Sequence, residues 1–282
     1  MKMKDTTIIQ ISDIHLTPAG KKPSFNQQLD PYDKLDLVFA DVKKFKKKPE
    51  LIALTGDLIH EGKTDDYVYL RKFLREKEQE LGAPIFVLLG NHDRTKAFYE
   101  GFMEQKPKSK YYYKVSINGK DNYFLDTTFG DIEQGYLDKE QLDWLSENLK
   151  KEPERPALIF MHHPIAGTSL KHMRFSVLQN GSKLLQICKK GNVKGFFSGH
   201  IHFPTTYLTE GILNGVADST AYHIDCREKH QHYVRDASSY NVITLSDKNE
   251  IGIENRYLYW GQKIIKKIDI EQTDFIDLKP LL

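Results

Sequence analysis

PIFVLLGNHD, Pro84 to Asp93, sets an apolar run against a glycine and three polar side chains. A run this short, with Gly82 and Pro84 before it and Gly90 after it, reads as a buried strand, and its C-terminal end delivers Asn91, His92 and Asp93. The same grammar occurs twice upstream. TTIIQIS from Thr6 is a β-branched run that stops at Asp13, and LIALTG from Leu51 stops at Asp57. Between these two, DPYDKLDLVFADVKKF has Asp30 as N-cap, Pro31 in the first turn and Leu35, Val38, Val42 and Phe45 on one face, which predicts a helix. Tyr67, Leu70, Leu74 and Leu81 mark a second amphipathic helix that Gly82 ends. Strand, helix, strand, helix, strand implies a largely parallel sheet covered by helices.

Antiparallel pairing enters further along. KYYYKVSING and KDNYFLDTT predict a hairpin across Asn118-Gly119. LDKEQLDWLSENLKK predicts a helix with Asp138 as cap, Gln141 reaching back to it, and Leu142, Leu145 and Leu149 facing inward. ALIFMHHP is a strand that stops at His162 and His163, and GFFSGHIH one that stops at His200 and His202. In the tail, NVITL and IENRYLYW read as closing antiparallel strands, with Tyr257, Tyr259 and Trp260 as packing residues. No internal repeat or low-complexity linker divides the chain. Residues 1–249 are expected to form one α/β domain, and residues 250–282 an extension packed on it or contributing to a homodimer contact.

The 282 residues are 39% apolar and 28% charged with a net charge of +2, an ordinary balance for a globular chain with a large core. That balance argues against a nucleic-acid polymer as partner, and the lysine cluster KKFKKKPE from Lys43 reads as a solvated helix end. Cys188 and Cys226 lack CxxC spacing, which excludes a disulfide framework and a cysteine-rich zinc site and suits a reducing cytosol. MKMKDTTIIQISDIH has no signal-length apolar stretch and nowhere are about 18 apolar residues consecutive, so no membrane span and a cytoplasmic location are expected.

In open α/β sheets, ligands sit beyond the carboxyl ends of the strands. Five strand ends here carry related chemistry: Asp13-Ile14-His15, Gly56-Asp57, Gly90-Asn91-His92-Asp93, His162-His163 and Gly199-His200-Ile201-His202. Imidazole nitrogens, carboxylates and an amide oxygen suit borderline divalent metals such as zinc, manganese or iron. In Asp13-x-His15 and His200-x-His202 the side chains are two apart, so on an extended segment both fall on one side and can bracket an ion. The glycines leave room for tight turns or close backbone approach.

In order, these blocks read DxH, GD, GNHD, H and GHxH, and over about Ile8 to Leu245 the chain resembles the calcineurin-like metallophosphoesterase superfamily. YFLDTT, GYLDKEQLDWL ahead of MHHP, and VADSTAYHI after GHIH are similar to the class III cyclic-nucleotide phosphodiesterases within it. The resemblance implies a four-layer α/β/β/α sandwich with two mixed sheets, with 1–249 as its catalytic domain. It also implies two metals: Asp13, His15, Asp57 and His202 would hold the first, and Asp57, Asn91, His162 and His200 the second, with Asp57 bridging. Two divalent ions bring four positive charges, of which Asp13 and Asp57 cancel two; the remainder matches one bridging hydroxide and one phosphodiester anion.

The leaving alkoxide needs a proton, and His92, directly after Asn91, is the expected donor over the substrate phosphate. Asp93 either orients His92 or caps the next helix at ThrLysAlaPhe. Asn91, His92 and His163 are the expected phosphate contacts, although His163 could equally alternate away from the site. His60 reads as a rim residue or an exposed one, and His230 and His232 as a solvated loop pair. Ser219 and Thr220 read as substrate contacts or turn hydroxyls. The expected activity is hydrolysis of a small phosphodiester, a 3′,5′-cyclic nucleotide to a nucleoside 5′-monophosphate. Glycerophosphodiesters, or phosphomonoesters served by Arg94 and Arg174, are the alternatives, and a non-catalytic scaffold would be expected to lack one of the ligands, none of which is missing.

Overall fold

β1 (Thr6–Ile11) lies between two partners. β2 (Leu51–Thr55) runs parallel to it, with Ile9 opposite Ile52, and β11 (Gln231–Leu245) runs antiparallel, with Ile8 opposite Ile243. β3 (Ile85–Leu88) continues the parallel side, while β10 (His223–Asp225) and β12 (Ile251–Asp269) pair with β11. The computed structural model of the chain describes residues 5–269 apart from 131, 174, 229 and 249. It contains a second six-stranded sheet, ordered β4 (Tyr113–Ile117), β5 (Lys120–Phe124), β6 (Pro156–Phe160), β7 (Asn192–Ser198), β9 (Ile212–Val216) and β8 (Thr205–Thr209). β5, β6, β7 and β9 are parallel, and the outer strands β4 and β8 run against them.

Alternation along the strands builds the layers. Ile8, Leu51, Ala53, Leu88 and Ile243 of the first sheet meet Phe124, Leu158, Phe160 and Phe197 of the second. Their neighbours Ile9, Ile11, Ile52 and Leu54 face outward beneath α1 (Pro31–Val42) and α2 (Thr64–Leu81). On the far side, Tyr123, Ala157 and Ile159 pack under α4 (Lys139–Lys151) and α5 (Gly181–Cys188). Strands with two buried faces read as unbroken apolar runs, and stacking two such sheets between helices gives the four-layer α/β/β/α sandwich.

The caps agree with the sequence in part. Asp30 accepts from the Tyr32 N–H at 2.9 Å, Gly82 ends α2 with φ 62°, and Asp138 accepts from the Gln141 N–H at 2.8 Å. Gln141 itself does not reach back: its buried amide clamps the Asp126 backbone, accepting from N at 2.7 Å and donating to O at 2.9 Å. His230 and His232 do not share a solvated loop, because β11 begins at Gln231 and buries His232. β12 pairs with β11 from Ile251 to Asp269, so the segment after 250 starts as a strand of the first sheet. Residues 270–282 and Arg174 lie outside the described residues. Among those described, no helix is long and apolar enough to cross a membrane.

Candidate metal centre

Parallel strands of both sheets end at one place. β1 runs into Asp13, β2 into Asp57, β3 into Asn91, β6 into His162 and β7 into His200. Cross-sheet bonds hold the two sets together there: Gln10 donates to the Ser198 carbonyl at 2.9 Å, and the His162 Nδ1 lies 2.9 Å from the Thr55 carbonyl. Asp13, His15, Asp57 and His202 bring ligand atoms within 4.8 Å of one another, as do His162, His163 and His200. Asn91 joins the second set, its Oδ1 3.0 Å from His162 Nε2. Asp57 Oδ2 faces both, at 3.5 Å from His15 Nε2 and 3.4 Å from His162 Nε2.

Strand alternation is not what gathers these residues. Asp13, His15, Asp57, His200 and His202 lie beyond the strand ends with φ of 51°, 39°, 50°, 72° and 54°, the left-handed region that non-glycine residues adopt at a cost of roughly 1–2 kcal/mol each. The extended geometry expected for the two x-separated pairs is therefore absent, and His200 and His202 point into different sets. Two glycines supply the space. A Cβ on Gly90 would overlap the Asp57 carboxylate, and one on Gly199 would overlap Ser12 and Asp13.

The donor chemistry fits two cations. His162 and His202 each turn Nδ1 to a carbonyl, of Thr55 and Tyr222, both at 2.9 Å, so Nδ1 carries the proton and Nε2 is a lone pair in the neutral ring. Yet His202 Nε2 stands 3.1 Å from His15 Nε2, and His162 Nε2 stands 3.2 Å from His200 Nδ1 and 3.0 Å from the Asn91 oxygen. With the His162 ring neutral, its Nε2 and the Asn91 oxygen are acceptors facing each other, which calls for a shared positive charge, a proton or a cation, and among the described residues the buried His200 Nε2 has no hydrogen-bond partner. Burial holds His15 and His200 well below the usual imidazole range. It acts the same way on His162, but the Asp57 charge outweighs it and pushes this ring up to about 10. Burial would raise Asp57 in turn, and His162 and His92 instead hold it well down.

Among the described residues, the Asp93 carboxylate makes neither expected contact. Its carboxylate accepts from the Leu58 N–H at 3.0 Å, the Ile59 N–H at 3.2 Å, the Gly90 N–H at 2.9 Å and the Tyr67 hydroxyl at 2.8 Å. It thus ties the loop after Asp57 to the loop before Asn91, while the short α3 (Thr95–Phe98) has Arg94 at its N-cap. Burial, then the Asp57 charge, push Asp93 up to about 6 against these donors. His92 is half-buried, its backbone N–H donating to Asp57 Oδ1 at 2.9 Å and its ring 5.1 Å from that of His15. His163 is fully buried, with Nδ1 2.8 Å from the Thr127 hydroxyl and its ring 4.4 Å from His200, so it stands among the donors. Arg94 is paired with Glu61 at 2.8 Å. Ser219 and Thr220 are buried braces: the Ser219 hydroxyl donates to the Asp13 carbonyl at 2.8 Å, and the Thr220 hydroxyl to that of Ser239 at 3.0 Å.

Two site residues, Tyr222 and Glu133, escaped sequence reasoning, and a third, His60, is legible there only as rim or exposed. Tyr222 stacks on His15 with centroids 5.3 Å apart, Glu133 brings a carboxylate oxygen to 3.8 Å from His200 Nε2, and His60 stacks on His92 at 4.6 Å. Only His60 left a signal, three residues after Asp57. With His15 it lines a cleft of about 490 Å³ whose other walls include Lys21, Lys22, Ser24 and Lys63 beside Pro18 and Ala19.

A sequence model of the calcineurin-like phosphoesterase family matches residues 6–204. A probable glycerophosphodiester phosphodiesterase of Arcobacter nitrofigilis is 29% identical over 227 residues, 77% of this chain and 79% of the relative. A 3′,5′-cyclic-nucleotide phosphodiesterase of Nostoc sp. is 30% identical over 205 residues, 70% of this chain and 71% of the relative. A dimetal phosphatase from Danio rerio shares the fold, with a TM-score of 0.57 at 14% identity over 91% of this chain and 99% of that one.

Proposed function

The chain belongs to the calcineurin-like phosphoesterase family, and from that premise we propose that it is a phosphoric diester hydrolase that cleaves a small diester, foremost a 3′,5′-cyclic nucleotide, at a two-cation centre. The observation that carries this reading is Asp57, whose single oxygen faces both donor sets. Asp13, His15, Asp57 and His202 would hold one cation, and Asp57, Asn91, His162 and His200 the other. Bound there, two divalent cations neutralise the diester and lower the pKa of a water. The chain does the rest. His92, half-buried at the edge of both sets, donates a proton to the leaving oxygen, and the Asn91 amide and His92 ring orient the phosphate. His163, tied to Thr127, supports the second set and does not touch substrate.

The relative named for cyclic nucleotides supports the leading substrate. The cleft favours a second one, a glycerophosphodiester, since its described walls offer hydroxyl, ammonium and carboxylate groups but no aromatic face beyond the His15 and His60 rings. Purified protein with manganese is expected to hydrolyse bis-p-nitrophenyl phosphate. A panel of cyclic AMP, cyclic GMP, 2′,3′-cyclic nucleotides, glycerophosphodiesters and phosphomonoesters then ranks the substrates. Preference for a monoester, or no diester hydrolysis under any metal, overturns the reading.

A further inference from the structure

We infer that His60 is a positioning residue for His92: stacked on the His92 imidazole, it holds that ring toward the leaving oxygen. The inference rests on the role proposed above for His92. A proton donor must be aimed, and the carboxylate expected to aim this one is elsewhere, since Asp93 binds Leu58, Ile59, Gly90 and Tyr67. Among the described residues no hydrogen bond holds the His92 ring; its polar contacts are made by its backbone, N–H to Asp57 and carbonyl from the Glu61 N–H at 3.1 Å. Two imidazoles pack against the ring. His60 lies face to face with it, centroids 4.6 Å apart and planes 24° apart, and His15 meets it edge-on at 5.1 Å and 67°. His15 belongs to the cation-holding set, and His60 meets it as well, Nδ1 to Nδ1 at 3.4 Å, so that hydrogen bond fixes the His60 ring from which the face against His92 is presented.

The backbone presents His60 for that task. Its own N–H donates to the Leu16 carbonyl at 3.2 Å. On one side Ile59 is bound to Asp93, and on the other Glu61 is bound to the His92 carbonyl and paired with Arg94 at 2.8 Å. The loop carrying His60 and the loop carrying His92 are therefore stitched together on both flanks of the stacked pair. His60 also lines the cleft beside His15, so the ring that braces His92 borders a space a diester's substituent could occupy. A displacement of about 1 Å in such a group can cost on the order of 100-fold in rate.

Leaving-group dependence reads this directly. p-Nitrophenolate leaves without a proton, whereas the ribose 3′-alkoxide of cyclic AMP and the alkoxides of glycerophosphoethanolamine do not. His60→Ala is expected to lower kcat on whichever alkyl diester the parent cleaves by about 10- to 100-fold, and to lower it far less on bis-p-nitrophenyl phosphate, with metal content unchanged. His60→Phe keeps a ring face against His92 and is expected to restore most of the alkyl rate. Equal losses on both substrates, parent rates on both, or a Phe variant as poor as the Ala variant overturns the inference. A parent that cleaves no diester overturns the phosphodiesterase reading and this inference with it. If His92→Ala shows no such discrimination, the proton-donor role falls first and His60 has nothing to position.

Discussion

Replacing Asp93 with Asn separates a brace from a catalytic carboxylate. The native group accepts from four donors, the N–H groups of Leu58, Ile59 and Gly90 and the Tyr67 hydroxyl, at 2.8–3.2 Å and out of water. An amide oxygen can keep about two of them, and the new NH2 then faces donors. Two buried donors left unpaired cost about 1–3 kcal/mol each, or about 2–6 kcal/mol in total. A chain of this size loses roughly 2 °C in Tm per kcal/mol, so a fall of about 4–12 °C is expected by calorimetry. Because Leu58 follows Asp57 directly, metal affinity is expected to fall together with stability, and excess manganese to recover part of the turnover. An N-cap would cost only about 1 kcal/mol. A variant with the parent's Tm and metal affinity but lost turnover would refute the brace and restore Asp93 as the partner of His92.

Other perturbations test the frame around the centre. Lys34 is fully buried, with its Nζ 2.5 Å from Asp236 and bonded to the Ala221 carbonyl. Lys34→Ala strands a buried carboxylate and is expected to cost about 3–5 kcal/mol, read as a lowered urea midpoint with unchanged m; a shift below about 1 kcal/mol would refute the pairing. Gly90→Ala drives a Cβ into the Asp57 carboxylate and backbone, so a folded protein with metal affinity weakened about 10- to 100-fold is expected by metal titration. Unchanged affinity would show that Asp57 need not sit where it does. Chelation is expected to lower Tm, since cations bound only to the folded chain stabilise it by mass action.

The layers were legible because sheets buried on both faces leave continuous apolar runs, and each of the five runs that bears a motif is a strand. β8 and β9 were passed over: their turn is Glu210-Gly211 in place of the Asn-Gly signal, and TTYLT is an exposed edge strand. The donor residues were legible as types at strand ends, but their geometry was not. Positive φ at Asp13, His15, Asp57, His200 and His202 is stored in long-range contacts such as the Asp13 N–H to the Gly56 carbonyl at 3.1 Å and the His15 N–H to the Asp57 carbonyl at 2.9 Å, which no local pattern encodes. Asp93 was misread for the same reason, since its partners at Leu58, Ile59 and Tyr67 are far from it in the chain. His60 looked like rim because its significance depends on a ring 32 positions away, that of His92.

The sharing of Asp57 between two cations is best tested by titrating chelator-stripped protein with manganese while following bound metal and diester hydrolysis together. Hydrolysis is expected to be absent from the stripped protein and to reach its plateau only as occupancy approaches two ions per chain. A plateau at one ion, or full hydrolysis in the stripped protein, would contradict the two-cation centre.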